Sequence, residues 1–119
     1  MSEPLSPLER DILAHVAARI SDRAFSAQMQ AASVAGREFT GVGVYAALAL
    51  SNRDFLPVLT RRENPLRGPL IASSVLENGA SSLLWQKNGL LDCIEIVAFE
   101  NYYPETQFEY SLSDDPRLI

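Results

Sequence analysis

Glu95 is the residue of this chain best placed to do chemistry, because it interrupts an otherwise apolar strand. In the run Leu90-Leu91-Asp92-Cys93-Ile94-Glu95-Ile96-Val97 its carboxylate shares a strand face with Cys93 and Val97. Side chains alternate along a strand, so a carboxylate in that row is either buried and paired or open to a pocket. Burial without a partner raises a carboxyl pKa toward the range of a general acid or base. Such chemistry also needs a second polar group converging on the first. Asp92 alternates to the opposite face, so the two acids do not make a paired-carboxylate site. The plainer alternative is a structural acid bonded to Ser82 or to a loop arginine.

The other candidate ligand-binding residues lie in REFTGVGVYAALAL, Arg37 to Leu50, which reads as one strand. Phe39, Gly41, Gly43 and Tyr45 point one way along it. Gly41-Val42-Gly43 is not a dinucleotide fingerprint, because no further glycine follows to open a helix. Two glycines on one face either admit a neighbouring helix, bulge or ring, or leave a shallow groove over bare backbone with Tyr45 at its edge. A pocket formed with Glu95 would be the ligand site. His15 is the single histidine and has no ligand partner at helical spacing and no adjacent nucleophile, so it reads as structural and partly exposed. One cysteine excludes an internal disulfide, and in a strand Cys93 is expected to be a buried, inert thiol. No metal-ligand spacing, phosphate loop, nucleophile elbow or aromatic-basic pattern is present. The residues therefore assign no catalytic group, metal or cofactor, and lean away from an enzyme.

The element that must position these residues is a hairpin centred on Asn88-Gly89. Two apolar runs meet there, and Asn-Gly supplies the two positive φ angles of a type I′ turn. The two-residue loop predicts Lys87 opposite Leu90, Gln86 opposite Leu91, Trp85 opposite Asp92, Leu83 opposite Ile94 and Ser82 opposite Glu95. Both faces are then largely apolar, whereas an antiparallel sheet with one wet side alternates apolar and polar residues. Both faces are expected to be covered: one by helices, the other by a loop, the chain ends or a second subunit.

Helices are available at the start of the chain. Ser6-Pro7-Leu8-Glu9 is a capping box with Pro at the first helical position. Leu8, Ile12, Val16 and Ile20 follow on one side. Ser21-Asp22 breaks or re-caps the helix, and Ala24 to Val34 continues it to a stop at Gly36. Ser51 to Gly68 is a long connection containing Arg53, Arg61, Arg62 and Arg67. Pro69 to Leu76 reads as a strand closing at Asn78-Gly79, and Gln107 to Leu112 as a last strand, with Ser113 to Arg117 expected to fray. The predicted fold is α+β: one or two N-terminal helices (about 6–35) on a four- to five-stranded, mainly antiparallel meander sheet (about 37–112). At 119 residues this is one domain.

A net charge of −5 argues against nonspecific nucleic-acid binding. No apolar run approaches the roughly 20 residues that span a bilayer. Met1 to Ser6 does not read as a secretory leader, and a cytoplasmic protein is expected. From Asp92 onward seven acids stand against one base, Arg117. That acidic end and the arginine loop favour a protein partner or a homodimer. Arg61, Arg62, Arg67, Tyr102 and Tyr103 are the candidate partner-binding residues.

REFTGVGVY at Arg37 and NGLLDCIEI at Asn88, with the turn Tyr102-Tyr103-Pro104, resemble a family of small uncharacterised bacterial proteins. The resemblance covers roughly Arg37 to Pro104 and implies a helix-plus-sheet fold with a shared glutamate at position 95, and no established activity. The segment Ala98-Phe99-Glu100 departs from the glycine-containing stretch of that family. The expected function is a non-catalytic interaction module, with toxin-neutralising or regulatory proteins as an analogy of build alone. The alternative is a small-ligand-binding protein or minor enzyme with a pocket near Glu95.

Overall fold

The computed structural model describes residues 2–100 and 102–116; Arg117 lies outside them. Helix α1 (Pro7–Ile20) opens on the expected capping box. The Ser6 hydroxyl accepts from the Glu9 N–H at 3.2 Å, and the Ser6 N–H donates to Glu9 Oε1 at 2.8 Å. Ser21 ends the helix in the left-handed conformation, φ 48°. Asp22 then caps α2 (Arg23–Ala31), accepting from Ala24 and Phe25 N–H at 2.8 and 3.3 Å.

Helix α2 does not run on to Val34. Strand β1 (Ala32–Phe39) starts as soon as α2 ends. Val34 is fully buried and exchanges both backbone hydrogen bonds with Glu3, at 2.8 and 2.7 Å. Burial and pairing of a β-branched residue outweigh the helix propensity of the surrounding alanines. The single strand expected over Arg37–Leu50 is likewise two elements. Gly41, at φ 90°, turns the chain between β1 and β2 (Gly43–Leu50).

The remaining strands are β3 (Leu66–Arg67), β4 (Leu70–Ser73), β5 (Leu76–Lys87), β6 (Leu90–Ala98) and β7 (Ser111–Ser113). The described sheet thus has seven strands rather than four or five, in the order β1-β2-β6-β5-β4-β7, with β3 also pairing β5. Every pairing is antiparallel. It is not a simple meander, since β2 pairs with β6. The β4–β5 turn falls at Ser74-Val75, and Asn78-Gly79, both at positive φ, lie inside β5. Ser113 to Pro116 is held rather than frayed: Asp114 meets His15 Nε2 at 2.7 Å, and Asp115 is buried.

The Asn88-Gly89 turn forms as expected, with φ of 55° and 81°. Lys87 faces Leu90 and Gln86 faces Leu91, but the register then shifts. Asp92 is the extra residue of a β-bulge, so Trp85 faces Cys93, Leu84 faces Ile94 and Leu83 faces Glu95. The bulge puts Leu91, Ile94 and Ile96 of β6 on one face with Leu84 of β5, and all four are buried. Ser82 belongs to this buried face and donates to Pro69 O at 2.6 Å, so it is not the partner of Glu95.

Ile12, Leu13 and Val16 of α1 and Phe25 of α2 complete that core, joined by Tyr103, Phe108 and Tyr110 from the C-terminal segment. All the described covering elements pack on this one face. The smallest dimension of the molecule, 19 Å, is that of one helical layer on one sheet. The expected cover on the second face is not supplied by the described chain.

Gln28, fully buried, joins the layers at the hairpin tip. Its Nε2 donates to Pro57 O and Gly89 O at 2.9 Å each, and its Oε1 accepts from Leu91 N–H at 2.8 Å. Gln28→Leu keeps the volume and orphans the Leu91 N–H and the Pro57 carbonyl. It should lower the unfolding free energy by about 2–3 kcal/mol, measured by urea denaturation.

Candidate functional site

Two surfaces carry converging polar side chains, one on each side of the sheet. The first is the uncovered face. Register places one residue from each of five strands in a row across it: Arg67 (β3), Leu83 (β5), Glu95 (β6), Tyr45 (β2) and Glu38 (β1). Glu95 accepts from Trp85 Nε1 at 2.9 Å. Tyr45 is the cross-strand neighbour of Glu95, and that carboxylate raises the phenol above its ordinary pKa. Cys93 sits in the next row, between Trp85 and Ala47. Burial, then the Asp92 and Glu95 charges, push its thiol up to about 11, so it is protonated and unreactive at neutral pH.

Glu95 and Tyr45 are therefore brought together as direct cross-strand partners, with Trp85 as a third member that the sequence register had placed opposite Asp92. The glycines are not part of this group. Gly41 is a turn residue, and Gly43 is bare because a Cβ there would collide with the Ile96 carbonyl. Glu95, Tyr45 and Trp85 lie on an open sheet rather than in a cavity. Of the candidate partner residues, Arg61 pairs with Glu63 at 2.8 Å, Arg62 is exposed, and Arg67 ends the five-strand row. Tyr102 is 63% exposed and Tyr103 only 5%, so the two tyrosines do not form one surface.

The second surface is a cleft of about 480 Å³ on the helical side, between the start of α1, the β1–β2 end of the sheet and the segment 103–110. Its anchor is an ion pair absent from the sequence reading. Arg37 donates from Nε and Nη2 to the two oxygens of Glu9, 2.8 Å each, and from Nη1 to Glu3 Oε1 at 2.8 Å. Burial alone would raise the Glu9 carboxyl. Hydrogen bonds from Arg37 and from the Ser6 backbone, with the Arg37 charge, outweigh it and hold the group below the ordinary carboxylate range. The Glu9 hydrogen bonds in turn raise Arg37. A β-bulge at Ala35 turns Arg37 toward the helix, and simple alternation could not have placed it there.

Among the described residues, no group of three or more His, Cys, Asp or Glu side chains is arranged to hold a metal ion. Among them, no helix is long and apolar enough to cross a membrane. Comparison with family models, with curated proteins and with solved structures finds no match to this chain.

Removing Arg37 strands a buried carboxylate, so Arg37→Met should cost about 3 kcal/mol at neutral pH. The depressed Glu9 pKa contributes stability that is full above the ordinary carboxylate range and is lost as pH falls through the folded value. In the variant, burial dominates and Glu9 is protonated more readily. The stability gap to the wild-type chain should narrow on acidification through that range, as read by denaturation at a series of pH values.

Proposed function

We propose that this protein is a non-catalytic interaction module whose binding surface is the uncovered face of its sheet, and that a second copy of the chain occupies that face. The observation carrying this reading is the ladder Arg67–Leu83–Glu95–Tyr45–Glu38 on a face that no described element covers. Leu83, Trp85, Cys93 and Val97 lie half-buried around it, and Tyr45 is 43% exposed. A monomer gains nothing from an apolar sheet face left in water, whereas face-to-face packing at about 10 Å removes it from water.

Charge order along the ladder favours self-association. A cation stands at one end and an anion at the other, and neither Arg67 nor Glu38 has an ion-pair partner among the described residues. A twofold axis lying between two such faces, parallel to the strands, sets Arg67 of each copy over the Glu38 end of the other. Glu95 enters the interface already hydrogen-bonded to Trp85, which offsets part of its desolvation.

Sedimentation equilibrium tests the reading. The wild-type chain should form a concentration-dependent dimer. Arg67→Glu should weaken it severalfold, and adding Glu38→Arg should restore it. Leu83→Lys should leave a folded monomer. A wild-type chain that stays monomeric at high micromolar concentration, or a dimer indifferent to all three variants, would overturn it.

A further inference from the structure

Tyr103 is 95% buried by its 5% relative exposure, yet its hydroxyl has no hydrogen-bond partner among the described residues. The hydroxyl is also not among the side-chain atoms sealed from solvent without a partner, which are Arg19 Nη1 and Arg61 Nε. The hydroxyl thus keeps some contact with solvent, and Tyr103 is one of the residues that line the 480 Å³ cleft. Its volume lies within the range of small-molecule sites, about 300–1,000 Å³.

The walls define what fits. Tyr103 and Phe108 stand edge to face, with centroids 5.6 Å apart and planes at 84°, so together they make an aromatic corner. Phe39 and Tyr110 extend the aromatic lining. The charged groups of the lining are Glu3, Glu9 and Glu105 against Arg37 alone: three negative and one positive. All three nitrogens of Arg37 are already engaged by Glu9 and Glu3, and no ion pair holds Glu105 among the described residues. An anion entering here would meet an acid surplus and a guanidinium already paired with two carboxylates. A cation would meet ring faces, carboxylates and an idle phenol oxygen.

We infer that the cleft is a binding site for a small organic ammonium with an apolar body. The ammonium donates to the Tyr103 hydroxyl and lies within the field of Glu105, while the apolar body packs into the Tyr103–Phe108 corner. This site is on the helical side of the sheet and does not depend on what occupies the opposite face.

The test is a titration of the full chain, followed by amide chemical shifts, with two probes of the same shape and opposite charge: 2-phenylethylamine and 3-phenylpropionate. The amine should bind saturably, with shifts clustered at Arg37, Tyr103 and Phe108, and at least tenfold more tightly than the acid. Tyr103→Phe retains the ring and breaks no internal hydrogen bond, so it should fold normally and weaken amine binding about tenfold, as expected for loss of a hydrogen bond to a charge. Glu105→Gln, an exposed substitution, should weaken it a few-fold and reduce its salt dependence. Equal binding of the two probes, preference for the acid, no saturable binding of the amine, or indifference to Tyr103→Phe in a folded variant would each overturn the inference.

Discussion

The bidentate contact between Glu9 and Arg37 is the interaction on which the arrangement of this molecule depends. Glu9 closes the capping box that starts α1, and the same carboxylate receives the guanidinium of β1. One side chain thus caps the start of a helix and fixes that helix to the sheet. Arg37 also holds Glu3, whose backbone pairs with Val34 at the outer edge of β1. A buried carboxylate is costly to desolvate, and here it receives three hydrogen bonds, two from Arg37 and one from the Ser6 N–H. Its structural effect is directional, since it commits the N-terminal layer to one face of the sheet.

Two consequences follow from that one-sided layering. On the helical side, α1 and the segment 103–110 do not close completely over the sheet, and the gap between them is the aromatic, acid-rich cleft. On the other side, the strands present their second set of side chains without a covering element among the described residues. Gln28 fixes the opposite end of the same layer by tying α2, the loop at Pro57 and the hairpin tip together. The two candidate surfaces are therefore products of the same packing decision.

Local signals in the sequence were reliable where chemistry at one position dictates conformation. The Ser6–Glu9 box, the left-handed Asn88-Gly89 turn, the Ser21-Asp22 break and the α+β build can all be read from residue type and spacing. What alternation alone could not supply was the effect of an extra residue. The bulge at Ala35 turns both Val34 and Arg37 to the helical side, and the bulge at Asp92 moves Glu95 from Ser82 to Leu83. A one-residue slip reverses every facing pair beyond it, so the inferred neighbours of Glu95 failed although the hairpin itself was right. The Tyr45–Glu95 convergence was legible as a pair of polar residues in apolar strands, whereas Trp85 as their partner was not. The start of β1 was hidden by alanines, which suit a helix until Val34 finds a strand partner.

The uncovered face carries its own reporter, because Trp85 is the single tryptophan of the chain and its indole donates to Glu95 at the centre of the ladder. The most direct measurement is acrylamide quenching of Trp85 fluorescence as protein concentration rises from nanomolar to high micromolar. A face that receives a second copy predicts a quenching constant that falls with concentration, and that stays high in Leu83→Lys at every concentration. A constant unchanged across the whole range, equal in the wild-type chain and the variant, would contradict the proposal that this sheet face is an interface.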